Sequence, residues 1–221
     1  MASSAADEGG GMYLSAMTYQ SLYGASFERL KKAHSENPDA IAALDAIQES
    51  LRNAESASPS FLFDFSKLLL SESKLNINLQ ESYLRMHANA PTEDLELPHL
   101  NHIAQFRELS ERAIALRKVL ARIPDEMTDR RPFLETIKEI ASSIKKLLDT
   151  TNGIIAMLPS NSQPLIEKRK REFVHCSKQF SNTLKEYFKT QNSHQVFMSA
   201  NHLVFQTLQI FRAVREKVRL Q

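Results

Sequence analysis

The chain has 221 residues, 42% of them hydrophobic and 24% charged, the proportions of a folded protein with room for one large domain or two small ones. Five glycines, three of them consecutive at Gly9, Gly10 and Gly11, leave no glycine-rich phosphate loop, and no apolar run approaches the ~18 residues needed to span a bilayer. The net charge of +2 conceals an asymmetry: residues 1–99 carry 7 Lys and Arg against 14 Asp and Glu, and residues 100–221 carry 21 against 12, so a half of −7 precedes a half of +9.

Residues 1–11 are small, acidic and without an apolar core segment, which predicts a disordered tail and no signal peptide. The eight prolines then punctuate apolar-periodic stretches, and proline belongs at helix boundaries because its ring blocks an interior hydrogen bond. Reading between them predicts an all-α protein; period-2 alternation occurs only in Leu75-Asn-Ile-Asn-Leu79, too short for a sheet. Residues 12–90 read as a unit of short helices, from about Met12 to Ala33, Asp39 to Ala54, Ser60 to Ser71, and from Leu79 onward. The third carries Phe61, Leu62, Phe63, Phe65, Leu68, Leu69 and Leu70 and is apolar almost all round. A small unit with surplus apolar surface buries it against another chain, which predicts a dimerisation domain; packing on the other half of the same chain is the alternative.

Residues 91–99, Pro-Thr-Glu-Asp-Leu-Glu-Leu-Pro-His, read as an acidic linker. Residues 100–221 follow as an up-down four-helix bundle, with helices from about Leu100 to Arg122, Arg131 to Met157, Pro164 to Lys189 and Gln195 to Val218. The second has a seam of Phe133, Ile137, Ile140, Ile144, Leu147 and Ile154; the third has Phe173, Ser177, Phe180, Leu184 and Tyr187. Beside each seam runs a second stripe. Leu134, Lys138, Ala141, Lys145 and Leu148 is one, and Val174, Lys178, Ser181, Lys185 and Phe188 is the other. Both read apolar, Lys, small, Lys, apolar with steps of 4, 3, 4 and 3, which places each set on one helix face. On neighbouring helices the stripes predict a groove for an acidic amphipathic helix, small at mid-height and walled by lysine. The plainer reading is that these lysines snorkel over the core edge.

Lys168, Arg169, Lys170 and Arg171 form a second basic feature, a candidate contact for anionic phospholipid or a solvated helix start. Nucleic acid is a poor fit, because no aromatic residues interleave with these charges and the chain has no Trp. Catalytic chemistry is not legible: no His-Glu-x-x-His, nucleophile elbow or kinase motif occurs, and His99 and His102 on one helix face lack a further nearby ligand. No enzyme, metal or cofactor is expected. Asp125, Glu126 and Asp129 follow Pro124 at a helix start, where acidic groups complement the helix dipole. Cys176, the only cysteine, permits no intrachain disulfide and reads as a small buried hydrophobe in a reducing, intracellular setting.

The stretches Ala121-Arg-Ile-Pro-Asp-Glu-Met-Thr-Asp-Arg130 and Phe133-Leu-Glu-Thr-Ile-Lys-Glu-Ile-Ala-Ser-Ser-Ile-Lys-Lys-Leu-Leu-Asp-Thr150 resemble the programmed cell death protein 10 family, the third group of cerebral cavernous malformation proteins. So do Lys170-Arg-Glu-Phe-Val-His-Cys-Ser-Lys-Gln-Phe-Ser-Asn-Thr-Leu-Lys-Glu-Tyr-Phe-Lys189 and Val196-Phe-Met-Ser-Ala-Asn201. The resemblance covers most of 60–215, with 1–58 matching poorly. It implies a helical dimerisation domain that pairs with itself or with the tail of a germinal-centre group III Ste20-like kinase. It also implies a bundle similar to the focal adhesion targeting domain. That bundle would bind leucine–aspartate-motif helices of the paxillin kind, the partner malformation scaffold and striatin. The family's groove positions fall on Lys138, Ala141, Ile144, Lys145, Lys178, Ser181 and Lys185, and its dimer interface on Leu69, Leu70, Ile47 and Leu51. The implied setting is cytoplasmic, with peripheral Golgi and plasma-membrane association.

Overall fold

A computed structural model describes residues 13–219, and the side chains of 13–218. The expected tail at 1–11, Met12 and the last two residues lie outside the described residues. The chain divides into two compact units, Met1–Pro91 and Thr92–Gln221, and no strand occurs among the described residues.

Among its described residues the first unit includes the α-helices α1 (Ala25–Ala33), α2 (Pro38–Ala57), α3 (Phe61–Ser73) and α4 (Leu79–Met86). Local signals set their ends. Asn37 caps α2 by accepting from the Ala40 amide at 3.1 Å, with Pro38 in the first turn, and Asn78 caps α4 from the Glu81 amide at 3.2 Å. Lys74 closes α3 in the left-handed conformation at φ 56°.

The helix expected from Met12 to Ala33 is not one continuous α-helix. A turn interrupts it at residues 16–17, and Tyr19–Gly24 is a π-helix leading into α1. The wider π turn changes which side chains share a face, and polar groups use the change. Thr18 and Ser21, both buried, meet the Tyr83 hydroxyl at 2.6 Å and His87 Nδ1 at 3.2 Å on one side. Tyr19 and Tyr23 reach Gln48 at 2.6 Å and the Ser66 hydroxyl at 3.0 Å on the other. Gly24 lies against Pro91, whose ring a β-carbon there would meet at 3.1 Å.

Residues 92–99, expected to be a linker, pack with the second unit. Two 3-10 turns, Glu93–Leu95 and Pro98–Leu100, bury Leu95 and Leu97. Asp94 pairs with the buried Arg117 at 3.3 Å, and Arg215 donates to the carbonyls of Glu93 and Glu96. Burial raises the Asp94 carboxyl above its ordinary value despite Arg117 beside it, and lowers the Arg117 guanidinium, so the pair is held at a desolvation cost.

The bundle comprises α5 (Ala104–Ala121), the short α6 (Ile123–Glu126), α7 (Arg130–Met157), α8 (Gln163–Thr190) and α9 (Ser193–Arg219). The first bundle helix therefore starts four residues later than expected and breaks before Ile123. His99 lies in a 3-10 turn and His102 in the link before α5, so they share no helix face. Asp129 caps α7 by accepting from the Arg131 amide at 3.0 Å, and Glu126 accepts from Arg122 at 2.8 Å and from Thr136. The four long helices close a ring in the order α5, α7, α8, α9, around Phe133, Ile140, Leu147, Phe173, Phe180, Leu203 and Phe211. Gly153 is exposed on α7, and a β-carbon there would meet nothing within 4 Å. Gly153→Ala is therefore expected to stabilise the bundle by about 0.5–1 kcal/mol, through helix propensity alone. A rise in the urea midpoint with an unchanged slope checks it.

Candidate functional site

α7 and α8 pack more loosely against each other than α5 against α7 or α8 against α9. Two contacts set their antiparallel register. At one end the Phe133 ring meets Phe188 at 5.8 Å and Tyr187 edge-on at 5.6 Å, and the Tyr187 hydroxyl donates to the Met127 carbonyl at 3.1 Å. At the other end Lys170 Nζ donates to the Asn152 side-chain oxygen at 2.9 Å. Counting inward from both ends sets Leu134 level with Phe188, Lys138 with Lys185, Ala141 with Ser181, Lys145 with Lys178 and Leu148 with Val174. Each step of one stripe thus faces the same residue type on the other.

Exposure follows the same pattern. The four lysines, Ala141 and Ser181 are exposed, Leu148, Val174 and Ile144 are half-buried, and Leu134 and Phe188 are 40% and 38% exposed. Ile144, part of the sequence seam, faces the rim, whereas Phe133, Ile140, Leu147 and Ile154 are fully buried. Lys138 pairs with Glu135 at 2.8 Å, while Lys145, Lys178 and Lys185 have no ion pair among the described residues. Asn152 and Lys170 continue the two stripes by one further step of four, so their bond joins the ends of the two stripes. That continuation was readable in the sequence; the bond was not.

In the first unit the candidate dimer residues lie on two helices. Ile47 on α2 and Leu69 on α3 are 51% and 52% exposed, and Leu51 and Leu70 are half-buried. The exposed apolar surface is larger than these four. Phe61, Phe65 and Leu68 form a stripe on α3 at steps of 4 and 3, the two rings stacked at 5.9 Å, with Leu68 the most exposed of the three. Leu62, Phe63 and Ser66 supply the buried face. Helical phase at α3 could have found this stripe, but its all-round apolarity hid which side faced in.

Three of the four consecutive cations are engaged. Arg169 pairs with Glu172 at 2.8 Å, Arg171 with Glu167 at 3.8 Å, and Lys170 bonds Asn152. Among the described residues, no group of three or more His, Cys, Asp or Glu could hold a metal ion, and no helix is long and apolar enough to cross a membrane.

The fold and its two exposed surfaces define an all-α protein of two helical units, one with a surplus apolar face and one with matching exposed lysine stripes on α7 and α8. The chain belongs to the programmed cell death protein 10 family. Residues 11–76 match the family model described as the programmed cell death protein 10 dimerisation domain, and residues 77–171 match its C-terminal model. A Caenorhabditis elegans protein named programmed cell death protein 10 homolog is 56% identical over 213 residues, 96% of this chain and 98% of its own length. The match reaches through the N-terminal stretch that resembles the family poorly residue by residue; α1, α2 and α3 lie in the family's dimerisation domain, and α4 falls within the C-terminal match.

Cys176 is buried at the α8 core edge, and burial pushes its thiol up to about 12. Its modification by a disulfide reagent at pH 8 is expected to be at least about a hundredfold slower in the native protein than in the urea-unfolded chain, because it requires opening of the core. Stopped-flow absorbance with and without urea measures the ratio.

Proposed function

We propose that this protein is a non-enzymatic adaptor. Its first unit dimerises with a second copy or with the tail of a germinal-centre group III Ste20-like kinase, and its bundle grips an acidic amphipathic helix between α7 and α8. The observation that carries the groove is the level pairing of the two stripes, lysine opposite lysine and Ala141 opposite Ser181. A merely snorkelling lysine needs no small residue beside it and no matching lysine across a cleft. Leucine–aspartate-motif proteins, striatin and the partner malformation scaffold are the ligands that the family resemblance suggests. Such an adaptor would hold a kinase near a scaffold, at peripheral Golgi, junctional or plasma-membrane sites.

Affinity should be modest. A ligand helix burying two or three leucines gains ~1.5–3 kcal/mol for each, rim salt bridges add ~0.2–1 kcal/mol, and association costs ~4–15 kcal/mol. A micromolar, salt-sensitive contact results, suited to assembly through several weak sites together. Binding to anionic lipid through residues 168–171 has less support, since three of those four cations already have partners.

Lys145→Glu with Lys185→Glu places one negative charge on each wall and is expected to weaken an acidic leucine-rich peptide by at least about tenfold, with helicity unchanged. Calorimetry showing undiminished binding would defeat the groove. Leu69→Asp is expected to convert the dimer to a monomer without unfolding it, because Leu69 is already exposed within the single chain. Light scattering that finds the wild-type protein monomeric, or the variant still dimeric, would count against that surface.

A further inference from the structure

The four lysines of the cleft are not equivalent. Helical projection at about 100° per residue places Lys138 about 40° from Leu134, on the flank turned away from α8. Lys145 lies about 20° from Leu134 in the same sense, so Lys138 is the outermost lysine on α7. Glu135 is about 60° further out again, opposite in phase to Phe133, which touches α8. The 2.8 Å bond between Glu135 and Lys138 therefore draws the ammonium away from the cleft. Both side chains are largely exposed, so the pair is not a structural core element and is free to exchange partners. Nothing comparable restrains the other three: Lys145, Lys178 and Lys185 have no ion pair among the described residues.

Resting on the groove reading above, we propose that Glu135 is a specificity-determining residue that restrains acidic-helix binding by holding Lys138 out of the cleft and opposing a carboxylate at that corner. Recognition of a ligand's acidic side chains then falls on Lys145, Lys178 and Lys185. The Lys145–Lys178 level offers two unencumbered ammonium groups, and the Lys138–Lys185 level offers one. An incoming carboxylate at Lys138 must either displace Glu135 or accept its negative charge a few ångströms away. The cleft thus favours ligands whose acidic residues cluster at the Leu148–Val174 side and whose other end is neutral or carries a donor for Glu135.

The test uses the full chain and a fluorescent amphipathic helical peptide with a leucine face flanked by two Asp residues two turns apart. A second peptide has both Asp replaced by Asn. Anisotropy titrations compare wild type, Glu135→Gln, Lys138→Gln and the double variant at low and high salt. Glu135→Gln is expected to bind the acidic peptide two- to fivefold tighter, with a steeper salt dependence, and the Asn peptide no tighter. Lys138→Gln alone should change affinity less than twofold, yet remove the whole gain when added to Glu135→Gln. If wild type binds and Glu135→Gln matches it, or gains equally with the Asn peptide, the role of Glu135 is overturned while the groove stands. If no variant binds the acidic peptide, the groove falls and this inference with it.

Discussion

The antiparallel register of α7 against α8 is the constraint on which the C-terminal surface depends. An aromatic cluster of Phe133, Tyr187 and Phe188 holds one end, and the Tyr187 hydroxyl ties that end to the Met127 carbonyl. The bond between Lys170 and Asn152 holds the other. With both ends pinned, every residue between them has a defined partner level. A slip of one residue would rotate the exposed stripes by about 100° relative to one another and set lysine beside a small or apolar residue. At mid-height between α7 and α8 the side chains Ala141 and Ser181 are small and exposed, and these two helices pack loosely. Close packing is supplied instead by α5 against α7 and α8 against α9.

The two units meet their polar obligations differently. In the first, a π turn lets neighbouring residues serve opposite sides, so that Thr18 and Ser21 bond α4-side partners while Tyr19 and Tyr23 reach α2 and α3. A small core with two buried and two part-buried side-chain hydrogen bonds is specified by their geometry as much as by apolar area. In the second, one charged pair is buried with the strap at residues 92–97. Burial opposes the charge on both Asp94 and Arg117, so the pair contributes orientation more than stability. Leu95 and Leu97 supply the apolar part of that docking.

Much of this was legible in the chain. The prolines and the 3.6-residue periodicity marked the long helices to within a few residues at most ends, because apolar seams such as Phe133, Ile140, Leu147 and Ile154 must face a core. The end of the first bundle helix near Arg122 was legible, but its start was set four residues early, and the short α6 at Ile123–Glu126 was not expected; Pro124 in its first turn is the one local signal for it. The acidic strap escaped because its charges outnumber its leucines, and periodicity cannot show two leucines buried from a 3-10 turn. On α3 the abundance of Phe and Leu hid the outward stripe of Phe61, Phe65 and Leu68. The pairing of Lys138 with Glu135 follows an i, i+3 spacing that any helix allows, yet spacing alone does not say which of several acidic neighbours a lysine chooses.

By itself the sequence determined the all-α class, the two oppositely charged halves, the long bundle helices and the two matching stripes, because each is a matter of composition or local period. Only the tertiary structure decided that the stripes stand level, that Ile144 faces the rim and that residues 92–97 belong to the bundle. Those outcomes depend on contacts between residues far apart in the chain, Phe133 with Phe188, Asn152 with Lys170 and Asp94 with Arg117, and a local pattern carries no information about which distant partner it will meet.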